Sequence, residues 1–352
     1  MKKRMLAFFL ALVMAFGLLS GCGSKPAANG GDGNGAEDLS GISERTIQIG
    51  HVSGVAESDK YQKFATLFAD KVAAYSDGKI KIEIVGSSGL GGERDMLEGM
   101  SLGTIDMAIL TNSTLCQFIE EFMILELPYL FSDRYAANEF FTNSDLLDDL
   151  DAQLKEQNNC VVLSRGECGL RHSVNNDHPY NTVSDLRGVK MRTMESEMPL
   201  AIFQAFGANP TPMAWSDCFT AVQQGALDAV EIPINSIYSD GYYEICKYIS
   251  LTGHQYATSL MCMSTYLWDE LNDAEKEIFS KAATEAAQEQ IAFLDACEAD
   301  MLQSMKDYGC EVNTPDLESF KAAAETVYEH YRDYFGAEVF DPIVNAAKAI
   351  SE

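Results

Sequence analysis

The sequence predicts an α/β protein of two lobes, in which mixed sheets are flanked by helices and one long helix spans both lobes. Three observations indicate this fold class. Strand-like and helix-like segments alternate from residue 46, the alternation restarts near residue 157, and residues 272–309 have the pattern of one uninterrupted helix. Repeated βαβ units favour a largely parallel sheet that is covered by helices.

The first run of elements begins with a strand in "TIQIGHV". The next segment, "YQKFATLFADKVAAYSDG", places five apolar residues from Tyr61 to Tyr75 at helical spacing. "KIKIEIVG" alternates strictly between apolar and polar residues, which predicts a strand. A glycine turn, a helix over residues 93–102 and the strand "IDMAIL" complete the run.

The second run follows a helical segment at residues 135–157. "CVVLSRG", "GVKMRTM" and "LDAVEIP" predict strands, and "EMPLAIFQAFG" and "DCFTAVQQG" predict helices. Alternation along "GVKMRTM" places Val189 and Met191 on one face and Lys190 and Arg192 on the other.

The predicted long helix has local signals at both ends. Asn272 and Glu275 fit a capping box, Gly309 fits a C-terminal stop, and no proline or internal glycine lies between them. A helix of roughly 35 residues is about 50 Å long, which is too long for one compact domain. We therefore predict that it runs along two lobes; two helices with an unmarked break are the alternative.

The N-terminal segment has the pattern of an export signal. "MKKR" is a cationic start, "MLAFFLALVMAFGLL" is an apolar run shorter than the roughly 20 residues that span a membrane, and Leu19-Ser20-Gly21-Cys22 looks like a bacterial lipobox. We predict a lipoprotein signal peptide at residues 1–21 and, at residues 22–44, a lipidated Cys22 followed by a flexible Gly/Asn-rich tether. An ordinary signal peptide with an incidental cysteine is the alternative.

Composition and missing motifs exclude several function classes. With 53 acidic against 25 basic residues, the formal net charge is -28, which argues against a nucleic-acid partner. Eight cysteines follow Cys22 without CxxC or zinc-site spacing, so we expect mostly buried thiols, no metal and no cofactor; a Cys160–Cys168 disulfide is the alternative. The sequence lacks GxGxxG, GxxxxGK[ST], HExxH and GxSxG, and we predict that the protein is not an enzyme.

One stretch runs against the overall charge. Residues 169–192, "GLRHSVNNDHPYNTVSDLRGVKMR", contain Arg171, Arg187, Lys190 and Arg192 against two acidic residues. A cluster of bases in so acidic a chain indicates a local positive field.

Several blocks in one register resemble the solute-binding proteins of TRAP (tripartite ATP-independent periplasmic) transporters. They are "SSGLGGERDMLEGMSLGTIDMAIL", "LELPYLF", "LRGVKMR", "GANPTPMAWSDCFTAVQQGALDAVEIP" and "YYEICKYISLTGH", and the resemblance runs from about residue 46 to the end. It implies a periplasmic-binding-protein-like fold that closes as a hinge around a ligand between its lobes. We expect lobe I at residues 45–167 plus about 257–297, and lobe II at residues 168–256 plus about 298–352.

The resemblance also implies the site. Arg192, in "GVKMR", corresponds to the arginine that holds the ligand carboxylate, for which a planar guanidinium fork is suited. Arg171, in "GLR", is expected to bind the ligand or to support Arg192, whereas Arg187 and Lys190 are expected at the surface. The matching blocks add the further candidates Glu57, Ser58, Glu93, Asn112, Trp215 and Asn235. Trp215 in the core and Glu93 as a helix cap are the alternatives for those two residues.

One departure from the family pattern concerns Ile232 in "VEIP". The family often has an asparagine there that helps to hold the carboxylate, and isoleucine offers no donor. Asn235 or Ser236 could supply one from nearby. An apolar side chain at this position favours a ligand with less polar bulk near its carboxylate.

These inferences predict a lipid-anchored, extracytoplasmic binding protein, a monomer, that captures a small organic acid and delivers it to the integral membrane subunits of a TRAP permease. The binding subunit of an ABC-type importer, a ligand sensor for a signalling receptor and an extracytoplasmic enzyme acting on a carboxylate are the competing functions.

Overall fold

The computed structural model describes residues 41–351, and a nine-stranded sheet runs through this part of the chain. Its order is β2-β1-β3-β8-β4-β7-β5-β6, with β9 beside β8. The strands are β1 Arg45–Gly50, β2 Ile80–Val85, β3 Met107–Thr111, β4 Cys160–Asn175, β5 Lys190–Thr193, β6 Asn209–Pro212, β7 Ala229–Pro233, β8 Tyr248–Ser264 and β9 Glu311–Asn313.

Helices flank the sheet. They are α1 Lys60–Tyr75, α2 Glu93–Ser101, α3 Asn112–Leu115, α4 Arg134–Asn143, α5 Asp148–Asn158, α6 Glu197–Ala205, α7 Trp215–Gln223, α8 Ile234–Ser239, α9 Tyr242–Ile245, α10 Thr265–Glu270, α11 Asp273–Tyr308, α12 Leu317–Phe335 and α13 Ala337–Ile350. Short 3-10 helices occupy Glu120–Glu126, Asp145–Leu147 and Val183–Leu186. The predicted α/β class with a mixed sheet is confirmed.

The sheet is parallel toward both ends and antiparallel in the middle. β1 pairs in parallel with β2 and β3, and β5 pairs in parallel with β6 and β7. The long strands β4 and β8 pair antiparallel between these two groups, with register shifts at three places along β4. Because a bulge bends a strand and increases its twist, these shifts allow one continuous pair to serve both parallel groups.

The long helix α11 forms as the sequence predicts. The Asn272 side chain accepts a hydrogen bond from Glu275 N at 3.0 Å, the Glu275 carboxylate accepts one from Asn272 N, and Gly309 ends the helix with φ 119°. Only glycine adopts that left-handed conformation without strain. The helix has 36 residues and contributes to two separate apolar clusters, with Phe279 in the first and Met301 and Met305 in the second.

A close approach fixes α11 against β4. Gln290 Oε1 accepts from Glu167 N at 2.9 Å, and Gln290 Nε2 donates to Glu167 O at 2.7 Å, so a side-chain amide replaces a ladder partner. A Cβ atom at Gly166 would lie 2.7 Å from Gln290 Oε1. Glycine at this position therefore lets the helix reach the strand.

The remaining predictions concern the N-terminal segment, membrane-spanning helices and the cysteines. The predicted signal peptide, Cys22 and most of the tether lie outside the described residues. Within residues 41–351, no helix combines the length and the apolar character needed to cross a membrane. The eight cysteines of this range are free thiols, Cys160 and Cys168 included, and all but Cys297 are buried.

The packing of α11 on α1 generates a stability prediction. Phe68 and Phe279 are fully buried, with ring centroids 5.9 Å apart. We expect Phe279→Ala to lower the free energy of unfolding in urea by about 3–5 kcal/mol, because it leaves a cavity between the helices. Gln288→Ala, at an exposed position of the same helix, is the control and should change it by less than about 0.5 kcal/mol. Equal effects of the two variants would contradict this account of the packing.

Candidate functional site

A cavity lies where several strands end. Its lining begins with Val52 and Ser53 beyond β1, continues with Thr111 at the end of β3, and includes residues at the ends of β5 and β7. Ligands of open α/β sheets bind outside the carboxyl ends of the strands, so the topology itself indicates this location. The cavity has a volume of about 60 Å³, several times the roughly 10–15 Å³ that one water occupies, so it has room for a small ligand.

Arg192 forms one wall of the cavity from the end of β5. Its Nε and Nη2 donate to Met213 O at 3.0 and 2.6 Å, and its guanidinium carbon lies 5.4 Å from the Trp215 ring centroid. The side chain is 4% exposed and pairs with no carboxylate of the described chain. The carbonyl and the ring hold the guanidinium plane, and Nη1 keeps its donors available.

Arg171 also lines the cavity, but a buried carboxylate already neutralises it. Its Nη2 donates to Glu231 Oε1 at 2.8 Å and to Glu231 O at 2.7 Å, and its Nε donates to Glu231 Oε2. His254 Nε2 lies 3.5 Å from Glu231 Oε2, and His254 Nδ1 shares a 2.8 Å hydrogen bond with Thr252 Oγ1. A charge pair of this kind holds Arg171 in one orientation.

Burial and pairing set the protonation of this network. Burial opposes ionisation of Glu231, but Arg171 and His254 outweigh burial and lower the pKa of Glu231 to about 2. Burial lowers the pKa of His254, and burial together with His254 lowers the pKa of His172 to about 3. Near neutral pH the network is therefore an ionised Arg171–Glu231 pair with neutral imidazoles around it.

Glu93 is the half-buried carboxylate of the cavity, at the first residue of α2. Its Oε2 accepts from Thr111 N at 2.8 Å, Thr111 Oγ1 at 2.6 Å and Thr114 Oγ1 at 2.5 Å. Its Oε1 accepts only the Tyr61 hydroxyl, at 3.5 Å. One oxygen thus anchors the group, and the other retains acceptor capacity toward the cavity.

Sequence reasoning missed Lys60, at the first residue of α1. This lysine lines the cavity, is 4% exposed, and donates from Nζ to Ser236 Oγ at 2.6 Å. Its ammonium also lies 4.5 Å from the Tyr61 ring centroid. No local pattern marks it, because a lysine at a helix start is ordinarily solvated; the burial comes from α8, far along the chain.

An apolar wall faces these polar groups. Ile232 is 1% exposed and lines the cavity beside Pro233, Met194 and Trp215. Trp215 packs against Tyr242 with centroids 5.5 Å apart, so it belongs both to the cavity and to the packed interior behind it. At position 232 the structure presents an aliphatic side chain where an amide would offer a donor.

Four of the predicted site residues lie away from this cavity lining. Glu57 is exposed and Ser58 half-buried in the turn before α1. Asn112 is buried and donates to Phe122 O at 3.0 Å. Asn235 accepts from Lys60 N at 3.1 Å and donates to Ser58 O at 2.8 Å, so its amide joins α8 to α1. The remaining four, Glu93, Arg171, Arg192 and Trp215, share the cavity lining.

A second acid lies behind the lining. Glu126 is buried, accepts from Ser196 Oγ at 3.0 Å and is hydrogen-bonded by Ser113, which lines the cavity. Burial raises its pKa, so its negative charge is disfavoured. Arg187 and Lys190, by contrast, are exposed and line no part of this cavity. Across residues 41–351, no group of three or more His, Cys, Asp or Glu side chains is placed to hold a metal ion.

Comparison with known proteins gives the family. The profile of the family described as bacterial extracellular solute-binding protein, family 7, matches residues 49–333. The 2,3-diketo-L-gulonate-binding periplasmic protein YiaO of Escherichia coli K12 is 30% identical over 304 residues, covering 86% of this chain and 91% of that protein.

Two solved structures extend the comparison. A TRAP periplasmic solute-binding protein of Polaromonas sp. JS666, bound to D-erythronate, is 34% identical with a TM-score of 0.81, covering 86% of this chain and 98% of the other. Another from Bordetella bronchiseptica, with density interpreted as pantoate, is also 34% identical with a TM-score of 0.81, covering 86% and 99%.

The family match over residues 49–333, together with the fold and the cavity at the strand ends, identifies a bacterial extracellular solute-binding protein. More particularly, the chain belongs to family 7, the solute-binding proteins of TRAP transporters. The family resemblance of the sequence blocks is thus confirmed. The relatives of this chain named above are solute-binding proteins rather than enzymes.

The buried Arg171–Glu231 pair predicts how the stability of the protein depends on pH. The pKa of Glu231 is about 2 in the folded protein, below its ordinary 4.5, so its stabilising contribution is complete above about 4.5 and is lost as the pH falls toward 2. Between these values, we expect Glu231→Gln to reduce the slope of unfolding free energy against pH by about 1.4 kcal/mol per unit. At neutral pH the variant should lose about 3–5 kcal/mol, because Arg171 stays buried without its partner.

Urea unfolding of both proteins at several pH values between 2 and 5 measures the two slopes. Glu98→Gln, in an exposed pair with Arg94, is the control and should retain the wild-type slope. Parallel curves for wild type and Glu231→Gln would contradict the depressed pKa.

Proposed function

We propose that this protein captures a small organic acid anion through Arg192 and delivers it to a TRAP-type permease. The observation that carries this proposal is a buried guanidinium that lines the cavity and has no carboxylate partner among the described residues. Burying an unpaired charge is costly, and a ligand carboxylate can accept parallel hydrogen bonds from the guanidinium fork. D-erythronate and pantoate, named for the two related structures, are acids of this kind.

The binding motion follows from the proposed lobes, residues 45–167 plus about 257–297 and residues 168–256 plus about 298–352. Arg192 and Trp215 come from the second lobe, and Lys60 and Glu93 from the first. A ligand that contacts both groups stabilises the closed form by its differential affinity for that form. Bonds such as Lys60 Nζ to Ser236 Oγ and Asn235 Nδ2 to Ser58 O would break when the lobes separate.

The proposed location is the outer face of the cell membrane. Export by the signal at residues 1–21 and acylation of Cys22 would anchor the folded body as a monomer through the tether at residues 22–44, since two or more acyl chains give stable anchoring.

Arg171 takes a supporting role in the proposed site, because Glu231 already occupies its guanidinium fork.

The role of Arg192 is tested by substitution. We expect Arg192→Ala to weaken binding of D-erythronate or pantoate by about 30-fold or more, because the carboxylate loses its buried charged partner. Isothermal titration calorimetry measures the affinity. Arg187→Ala, which removes an exposed arginine of the same segment, is the matched control and should bind as wild type does. Equal losses in the two variants, or none in Arg192→Ala, would show the assignment to be wrong.

The anchor is tested separately. Expression of wild type and Cys22→Ser in a bacterial host, followed by membrane fractionation, should place the wild type with the membranes and the variant in the soluble extracytoplasmic fraction. The matched control is Cys297→Ser, which changes a half-buried cysteine of the folded body. A soluble wild-type protein would refute lipidation while leaving acid capture intact.

A further inference from the structure

Two cations of the cavity lining have no ion-pair partner. Lys60 and Arg192 are each 4% exposed, and neither lies within ion-pair distance of a carboxylate in the described chain. Arg171 differs, because Glu231 neutralises it. Two carboxylates outside the lining, Asp59 and Asp240, lie beyond ion-pair distance of Lys60, although the Lys60 charge still acts on Asp240. Asp59 accepts from Tyr61 N at 2.8 Å and from Ser239 Oγ at 3.2 Å.

Lys60 lines the cavity and has donors without a hydrogen-bond acceptor among residues 41–351. An ammonium has three N–H groups, and Ser236 Oγ is the one hydrogen-bond acceptor that Nζ reaches in residues 41–351. A hydroxyl is a weak partner for a desolvated charge. Because Ile232 supplies no polar atom to the same wall, Lys60 is placed to provide the second anchor for a ligand anion.

One carboxylate of the lining limits how much negative charge the site can accept. Glu93 keeps Oε1 nearly free, held in position by three donors on Oε2. The other charged groups of the lining, Arg94 and Glu195, are exposed, and Arg94 pairs with Glu98. Among the charged groups that line the cavity, Lys60, Arg192 and the half-buried Glu93 are therefore the ones that are neither exposed nor ion-paired, and together they present one net positive charge to a ligand.

From this charge arrangement we infer that the site selects a short hydroxylated monocarboxylate over the corresponding dicarboxylate, with Lys60 as a second cationic contact and Glu93 as the acceptor for a ligand hydroxyl. This inference rests on the proposed function. A second carboxylate would be forced against Glu93 in a small desolvated cavity, where like charges repel strongly. A hydroxyl donates to that same oxygen, and the apolar wall at Ile232 accommodates the carbon chain.

Two matched ligand pairs separate these alternatives. D-erythronate and meso-tartrate differ only in that a terminal hydroxymethyl group is replaced by a carboxylate, and pantoate and 3,3-dimethylmalate differ in the same way. Calorimetry with wild-type protein should show the monocarboxylate binding about tenfold or more tightly in each pair, because the like-charge contact with Glu93 disfavours the dicarboxylate. Tighter binding of the dicarboxylate in either pair overturns the inference.

Variants assign the selectivity to residues. Lys60→Met should weaken both monocarboxylates by about 10- to 100-fold, the usual effect of removing a hydrogen bond to a charged group. Lys63→Met, in the same helix but outside the lining, is the control and should bind normally. Lys60→Gln keeps a donor for Ser236 without the charge and serves if the methionine variant does not fold. Wild-type affinity in either Lys60 variant overturns the contact.

Glu93→Gln tests the other half of the inference. The amide removes the negative charge, so the ratio of monocarboxylate to dicarboxylate affinity should fall about tenfold or more, while Glu98→Gln in the same helix leaves the ratio unchanged. An unaltered ratio in Glu93→Gln overturns the role of Glu93. Loss of binding in Arg192→Ala together with wild-type behaviour of the Lys60 and Glu93 variants would reject this inference alone. Retained binding in Arg192→Ala would reject the proposed function.

Discussion

The free energy of burying positive charge is the constraint on which the site depends. Arg171, Arg192 and Lys60 are nearly inaccessible to solvent. Arg171 is compensated by a carboxylate, Arg192 by a carbonyl and an aromatic ring, and Lys60 by a hydroxyl and an aromatic ring. An ion pair compensates a buried charge more fully than a neutral dipole does. All three cations line the space that a ligand can enter, but only Arg192 and Lys60 lack a carboxylate partner.

The sheet is what makes this difference possible. Arg171 lies on β4 directly opposite Pro233 of β7, so the pairing of two neighbouring strands brings Glu231 under the guanidinium without any long loop. β4 continues through its bulges into the pairing with β8, which connects to β3 and the Thr111 side of the cavity. Strands β4 and β8, which join the two parallel groups, therefore also set the distance between Arg171 on β4 and Glu93, which is held by Thr111 at the end of β3.

Local signals made much of the fold predictable from sequence. The capping box and terminal glycine of α11, and the strict alternation in β2, are written in adjacent residues, and both elements form where predicted. β4 was harder: its first half was predicted, but the register shifts after Glu167 break the alternation that marks a strand. Bulges act through the partner strand, which sequence periodicity does not show.

The site residues likewise divide into those that a local sequence pattern marks and those whose placement depends on distant partners. Arg192 was a candidate from sequence because it lies in a block shared with the family. The buried position of Lys60 depends instead on Ser236, which is 176 positions away and accepts its hydrogen bond. Asn235 shows the converse case. Its amide was predicted to face a ligand, but it is consumed by the backbone of Ser58 and Lys60. A polar side chain at the right block is only a candidate until its long-range partners are known, because those partners decide whether a donor remains free.

The combination of an acidic body with a cationic cavity is physically consistent. Surface carboxylates that make the net charge -28 are solvated and screened over about 8–10 Å at physiological salt. The cavity charges act at contact distance in a medium of lower effective dielectric constant, where each is worth several times more. At the proposed site, a ligand would therefore respond to Arg192, Lys60 and Glu93 rather than to the net charge of the chain. With Ile232 on the apolar side of the cavity, the balance of these three charges is the property by which the proposed site would distinguish one organic acid from another.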